Sequence, residues 1–148
     1  MTFDIALAES PGLLRRLAAM FYDLILLFGM LLLAVTLVVV PYVELIKPEF
    51  PHDNWLYRLY LLTVAGGFYL LFWVRGGQTL GMRAWRFRLV REDGRPLSPS
   101  DALKRLVWAS LTLVPLGIGL LWMLVDRDKL TLYDRLSQTR PVMLNPPF

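Results

Sequence analysis

The sequence predicts an all-α integral membrane protein: two transmembrane helices, a third apolar segment and a short β-hairpin-like element beside the membrane. Three observations carry this expectation. Of 148 residues, 56% are hydrophobic and 19% charged, too oily for an ordinary soluble domain of this size. Two apolar runs, about residues 17–40 and 55–74, are long enough to cross a bilayer. The Lys and Arg residues gather on one side of those runs, the asymmetry that orients a membrane chain. The length fits one domain over residues 1–148.

The first span, Leu17 to Val40, would rise about 36 Å as a helix and so cross a hydrocarbon core of about 30 Å with some tilt. It is too long for the apolar core of a secretory signal, and it ends in LVVVPYVEL with no small-x-small cleavage pattern. The connection PYVELIKPEFPHDN holds three prolines, and Glu44, Glu49 and Asp53 against Lys47, so it reads as extended and net acidic. His52 within it is a solvated loop histidine, because no second His or close carboxylate cluster accompanies it. In the second span Trp55 and Trp73 stand about 27 Å apart along the helix, as interfacial residues at its two ends should. Arg58 reads as an arginine snorkelling near a helix end, and Gly66 and Gly67 as a close-packing patch against the first helix.

From Arg75 to Arg105 there are eight Lys/Arg against three acids, and the preceding connection has one against three. Short-loop charge bias therefore puts the basic segment in the cytoplasm with Arg15, Arg16 and the amino terminus, and the acidic connection outside. Within the basic segment, WRFRLV alternates Trp85, Phe87 and Leu89 with Arg86, Arg88 and Val90, the period of a strand with one buried face. Asp93-Gly94 follows as a turn signal. The third apolar segment, 106–125, carries VPLGIG at its middle, with Trp108 and Trp122 placed symmetrically about Pro115. It forms either a re-entrant helical hairpin or a kinked span. The hairpin is favoured because it returns Arg127, Lys129, Arg135 and Arg140 to the cytoplasm, and because it lets TRPVML pair with WRFRLV, Pro141 confining that strand to an edge or interrupting it.

Asp23 is the one carboxylate inside the first span, and an acid at that depth is costly enough that it should face protein or water. Arg16 lies seven residues earlier on the same helix face, about 10 Å along the axis. Arg16, Arg75, Gln78, Arg105 and Arg135 are its candidate partners. Two readings stand: a structural pin that docks helices in one register, or a titrating site for a proton or small cation. DRDKLTLYDRLSQT supplies further charges that read mainly as a solvated, self-paired surface. GGQTLGMRAWRF lacks the spacing and lysine of a phosphate loop, and no nucleophile with a nearby base and no helix-borne metal motif is visible. The sequence thus predicts no enzyme, metal, cofactor or nucleic-acid partner.

RRLAAMFYD at the start of the first span, GGQTLGMRAWRFRLVREDGRPLS after the second and TLYDRLSQTRPV towards the end form a set. It resembles the RDD family of small bacterial membrane proteins, from about Pro11 to Val142. Arg16 matches the family's arginine and Asp23 its first aspartate; Asp134 is taken as the second, with Asp126 as the alternative and Arg135 in the same charge network. The sequence departs from the family at Gly81-Met82-Arg83, where Gly-Lys is common, at Tyr133-Asp134, where His-Asp is usual, and at Gln138-Thr139, where Gly-Thr is usual. The resemblance implies a bacterial inner-membrane protein that transports an undefined ligand, with exchange of Na⁺ or another monovalent cation for H⁺ in some members. Two spans and a hairpin leave little room for an alternating-access path, so transport would require a homo-oligomer. The alternative is a non-catalytic membrane partner or assembly module, its basic segment holding anionic lipid or another membrane protein.

Overall fold

The computed structural model describes residues 9–47, 49–51, 53–113 and 117–144. His52 and the Pro115 turn of the third apolar segment lie outside them. Two helices long and apolar enough to cross a membrane rise from a compact base. Helix α1, Leu13–Leu45, is about 50 Å long. It passes through Pro41 and closes one turn later, beyond the end expected from hydropathy. A proline removes one N–H from the ladder, and the helix tolerates this near its end, where Ile46 N–H still reaches the Tyr42 carbonyl at 2.9 Å. Helix α2, Trp55–Gly76, is capped by the Asn54 side chain and returns alongside α1, where the Tyr60 hydroxyl donates to the Ala34 carbonyl at 3.3 Å. Phe21, Leu24, Phe28, Leu33 and Leu37 remain exposed along α1.

The paired glycines of α2 do not both pack, and they do not face α1. A side-chain carbon at Gly66 would meet Leu106, in the third apolar segment, at 3.2 Å, while Gly67 has open space beside it. Arg58 is exposed and pairs with Asp53 at 2.9 Å, an arrangement that contributes little in water.

Gly77 ends α2 in the left-handed region (φ 64°), its N–H on the Trp73 carbonyl at 2.9 Å and its own carbonyl accepting from Leu89 N–H at 2.7 Å. The chain then forms helix α3 (Leu80–Ala84), strand β1 (Phe87–Arg91) and helix α4 (Pro99–Leu113). Pro99 occupies the first helical position of α4, and Ser98 and Asp101 exchange side chain–backbone hydrogen bonds of 3.0 and 3.2 Å at its start. Helix α5 (Ile118–Leu121) runs into a 3₁₀ turn at Trp122–Leu124, and helix α6 (Leu132–Leu136) and strand β2 (Thr139–Met143) complete the described chain.

The strands pair antiparallel, Phe87 opposite Met143 and Arg91 opposite Thr139. The expected hairpin-like element is therefore a clasp between distant segments, and Asp93-Gly94 turns the chain towards α4, not into a second strand. Pro141 does not interrupt the ladder. It lies opposite Leu89, whose N–H is directed away from β2 to Gly77, so the missing proline N–H falls at a position that needs no inter-strand bond. Trp85 lies before the strand and is exposed, whereas Phe87, Leu89 and Val90 are buried; the expected alternation holds only in part. The third apolar segment is no straight span: α4 and the α5 unit are bent by 104°, and because β1 precedes them and β2 follows, the chain leaves the base and comes back to it. The core lies in this base, where Trp73, Leu89, Leu97 and Ala102 pack with Tyr69, Met82 and Leu106.

Candidate functional site

Two buried acids organise the base, and they are satisfied in opposite ways. Asp134 sits three residues after Thr131, the N-cap of α6, and the two form a capping box. Its Oδ2 accepts from Thr131 N–H at 2.9 Å and from Arg16 Nη1 at 2.6 Å, and its Oδ1 accepts from Arg105 Nη1 at 2.6 Å. All three side chains are almost wholly buried. Arg16 spends its other donors on the Pro11 carbonyl at 3.1 Å and the Lys129 carbonyl at 2.8 Å. Arg105 also reaches Thr139 Oγ1 at 2.6 Å and lies over the Trp73 and Tyr133 rings, 5.4 and 5.0 Å from their centroids. Burial pushes the Asp134 carboxyl up, but the Arg105 and Arg16 guanidiniums more than offset it and hold the carboxyl below its ordinary value.

Asp23 is 2% exposed and lies two turns further along α1 than Arg16. Its Oδ2 accepts from the Thr79 hydroxyl at 2.5 Å and its Oδ1 from Gly81 N–H at 2.8 Å. Both donors are neutral. Thr79 is the N-cap of α3, so the carboxylate closes the exposed amide end of a helix that comes from a different part of the chain. Gly81 is required at this contact, since a Cβ there would collide with the Ala19 carbonyl and the Asp23 carboxyl carbon.

No ion pair joins Asp23 to Arg16, Arg75, Arg105 or Arg135 among the described residues, and Gln78 donates instead to the Phe87 carbonyl at 2.8 Å. The residues expected to form one charge network, Arg16, Asp23, Asp134, Asp126 and Arg135, thus fall into three centres, of which Asp134 with Arg16 and Asp23 with its neutral donors are two. Asp126 and Arg135 form a third, half-exposed cluster with Asp128, at 2.9 and 2.6 Å. There the Asp126 carboxyl is raised by burial but lowered further by Leu130 N–H and Arg135. The same Asp126 carboxylate accepts from the Asp128 and Leu130 amides at 3.1 and 2.9 Å, which shapes the loop that presents the Lys129 carbonyl to Arg16.

A cavity of about 190 Å³ opens between the two centres, with Asp23, Tyr69, Trp73, Arg105, Ser110 and Tyr133 among its walls. A smaller one of about 40 Å³, close to the room one water needs, is lined by Arg16, Asp23, Arg105 and Tyr133. Thr79, Gly81 and Thr139 did not stand out in the sequence as site residues, and Trp73, expected at the membrane interface, is instead buried in the core of the base with Leu89, Leu97 and Ala102. The only local signal for the first two was Thr-Leu-Gly, a helix N-cap followed by a residue that allows close approach.

The family model described as the RDD family matches residues 10–138. No curated protein and no solved structure matches the chain at a significant level.

Proposed function

The chain belongs to the RDD family, and from that membership we propose that it is a bacterial inner-membrane carrier, not an enzyme, that moves a monovalent cation or small solute in exchange for protons. One observation carries this reading: Asp23 is a buried carboxylate held by neutral donors and lining a cavity. A proton-exchanging carboxyl must be able to lose its charge, and a bonded guanidinium opposes that. Asp134 has two such partners and Asp23 has none among the described residues. Asp134 with Arg16 and Arg105 holds the frame; Asp23 is the group that works. The exposed apolar faces of α1 and α2 fit lipid and a second copy of the chain, with which an oligomeric path would form.

In this reading the base, with the amino terminus, lies in the cytoplasm, since Arg75, Arg83, Arg86 and Arg88 belong to it. Because the chain has no cysteine, single cysteines report topology cleanly. One at Asn54 should react with an impermeant thiol reagent on intact spheroplasts, and ones at Ser100 and Asp128 should not.

Flux is tested with purified protein in vesicles holding a pH-sensitive dye, challenged with Na⁺, Li⁺ and K⁺. Asp23→Asn keeps an amide acceptor but cannot exchange a proton, so exchange should vanish in protein of unchanged oligomeric state; Asp23→Glu should retain part of it with a shifted pH optimum. Normal exchange by well-folded Asp23→Asn would sink the proposal and leave Asp23 as a pin. A second reading, a module that docks on anionic lipid, is favoured by the exposed Arg15, Arg83 and Arg86 around the exposed Trp85. It predicts no flux, but binding to vesicles that contain phosphatidylglycerol.

A further inference from the structure

A groove of about 730 Å³ lies at the foot of α1, lined by Glu9, Leu14, Arg15 and Ala18 from that helix and its lead-in and by Trp85 and Met143 from the strand region. A second space of about 330 Å³ shares Glu9, Arg15, Trp85 and Met143 with it and extends it to Arg86. Backbone hydrogen bonds fix the walls: Met143 N–H donates to the Glu9 carbonyl at 2.9 Å and Leu144 N–H to the Arg86 carbonyl at 2.8 Å. The cations in the groove have donors to spare. The Arg15 side chain donates only to the Met143 sulfur, at 3.2 Å, a weak acceptor, and the exposed Arg86 side chain has no ion pair or hydrogen bond among the described residues. Glu9 is the only acid among the lining residues, so the lining carries a net single positive charge. From Leu14 an apolar stripe continues along α1 through Leu17, Ala18 and Phe21, the spacing of one helix face. Leu14, Leu17, Phe21 and Trp85 are all exposed. Because α1 is long and apolar enough to cross a membrane, the groove opens where that stripe enters the acyl chains.

We infer that this groove holds the headgroup of one anionic phospholipid, its phosphate on the Arg15 and Arg86 guanidiniums and its acyl chains along Leu14, Leu17 and Phe21. The inference rests on the lipid-docking reading of the basic face and turns that face into a site for one molecule; it is independent of any flux. Guanidinium forks match phosphate oxygens in pairs, and an exposed indole suits the headgroup level of a bilayer. A net single positive charge answers the single negative charge of a phosphodiester lipid. A zwitterionic phospholipid would leave that charge unbalanced. A soluble phosphate would meet the same arginines but leave the apolar stripe unused. Arg83 is exposed on the same basic segment but does not line the groove, so it separates a built site from diffuse attraction.

The test is native mass spectrometry of the intact protein in an uncharged detergent at constant ionic strength, mixed with phosphatidylglycerol, phosphatidylcholine or glycerol phosphate. It counts the molecules retained and ranks their affinities. One phosphatidylglycerol per chain is expected, held about tenfold more tightly than phosphatidylcholine, the weight of one charge-assisted hydrogen bond. Arg15→Gln and Arg86→Gln should each weaken it about tenfold, whereas Arg83→Gln should change it by less than about twofold. Trp85→Ala should weaken it by a smaller factor than either arginine variant. All four positions are exposed, where substitutions seldom disturb folding, and the wild-type comparison of the three ligands decides the matter if a variant fails to fold. Glycerol phosphate displacing phosphatidylglycerol at equal concentration overturns the inference, because a soluble phosphate then suffices. Equal losses in the Arg15, Arg86 and Arg83 variants overturn the groove alone and leave lipid docking as diffuse attraction. Equal binding of phosphatidylglycerol and phosphatidylcholine overturns both the groove and the lipid-docking reading.

Discussion

The Asp134 and Asp23 centres lie in the same base and are buried alike, yet one is built from charge on charge and the other from charge on neutral dipoles. Around Asp134, two arginines from α1 and α4 converge on the first turn of α6, and the acid cannot be removed without stranding both. Around Asp23, a hydroxyl and one backbone amide are the donors among the described residues, and neither carries a charge. In the proposed carrier, fixed structure and variable chemistry would fall to different carboxylates of one fold.

The largest expected effect tests the fixed centre. Asp134→Ala leaves two buried guanidiniums without a counter-charge and should cost about 3–5 kcal/mol, as breaking a buried pair does; thermal unfolding in detergent measures it. Acid should reproduce part of that loss. Because the Asp134 carboxyl titrates below its ordinary value in the folded protein, its stabilisation is complete above that ordinary value and is lost as pH falls through the lower, folded one. A folded Asp134→Asn protein should lack this acid-limb loss, and a loss equal to the wild type would assign it to other groups.

Gly81→Ala comes next. Its methyl group meets the Ala19 backbone, which cannot step aside, so a loss of about 1–3 kcal/mol is expected, typical of overpacking. Asp23→Asn should cost less, about 1 kcal/mol, since the amide keeps one acceptor and the Thr79 hydroxyl can turn to accept from the new NH₂. Combined with Asp134→Asn it should add to within about 0.5 kcal/mol, whereas Arg16→Gln with Asp134→Asn should lose clearly less than the sum. Strong coupling between the two aspartates would abolish the distinction drawn between their centres. Smallest is a gain: Gln138 is held at φ 53° just before β2, where left-handed backbone costs a side chain about 1–2 kcal/mol. Gln138→Gly should raise stability by up to about 1 kcal/mol once the greater chain entropy of glycine is set against it.

Hydropathy sufficed for α1 and α2, because a lipid-length apolar run leaves few alternatives. Asp23 was legible too, as an acid where acids are costly. Its partners were not. Thr79 and Gly81 lie 56 and 58 residues away, and a backbone amide has no identity in a sequence for a charge argument to select. Arguments from charge proposed arginines for Asp23 because only side chains can be listed; Arg105, one of those proposed, is bound to Asp134 instead. The β1–β2 pairing was visible as two short patterned segments that could meet if the third apolar segment folded back. The carboxyl-terminal end of α1 was misplaced because proline reads as a stop, although Pro41 removes only one N–H and the turn after it still closes with Ile46 N–H on the Tyr42 carbonyl.

The clasp between β1 and β2 also sets an order of events during synthesis. Arg16 is made 118 residues before the Asp134 it pairs with, and Phe87 well before its partner Met143. Until Asp134 is made, Arg16 lacks the carboxylate that it pairs with in the finished fold, whereas Arg105 precedes Asp134 by only 29 residues. Asp23 finds Thr79 and Gly81 much sooner. The first two helices are therefore registered against α3 early, and the base locks only when the final strand arrives, so a nascent chain stalled before Thr139 should be inserted, correctly oriented and still open to protease at its base.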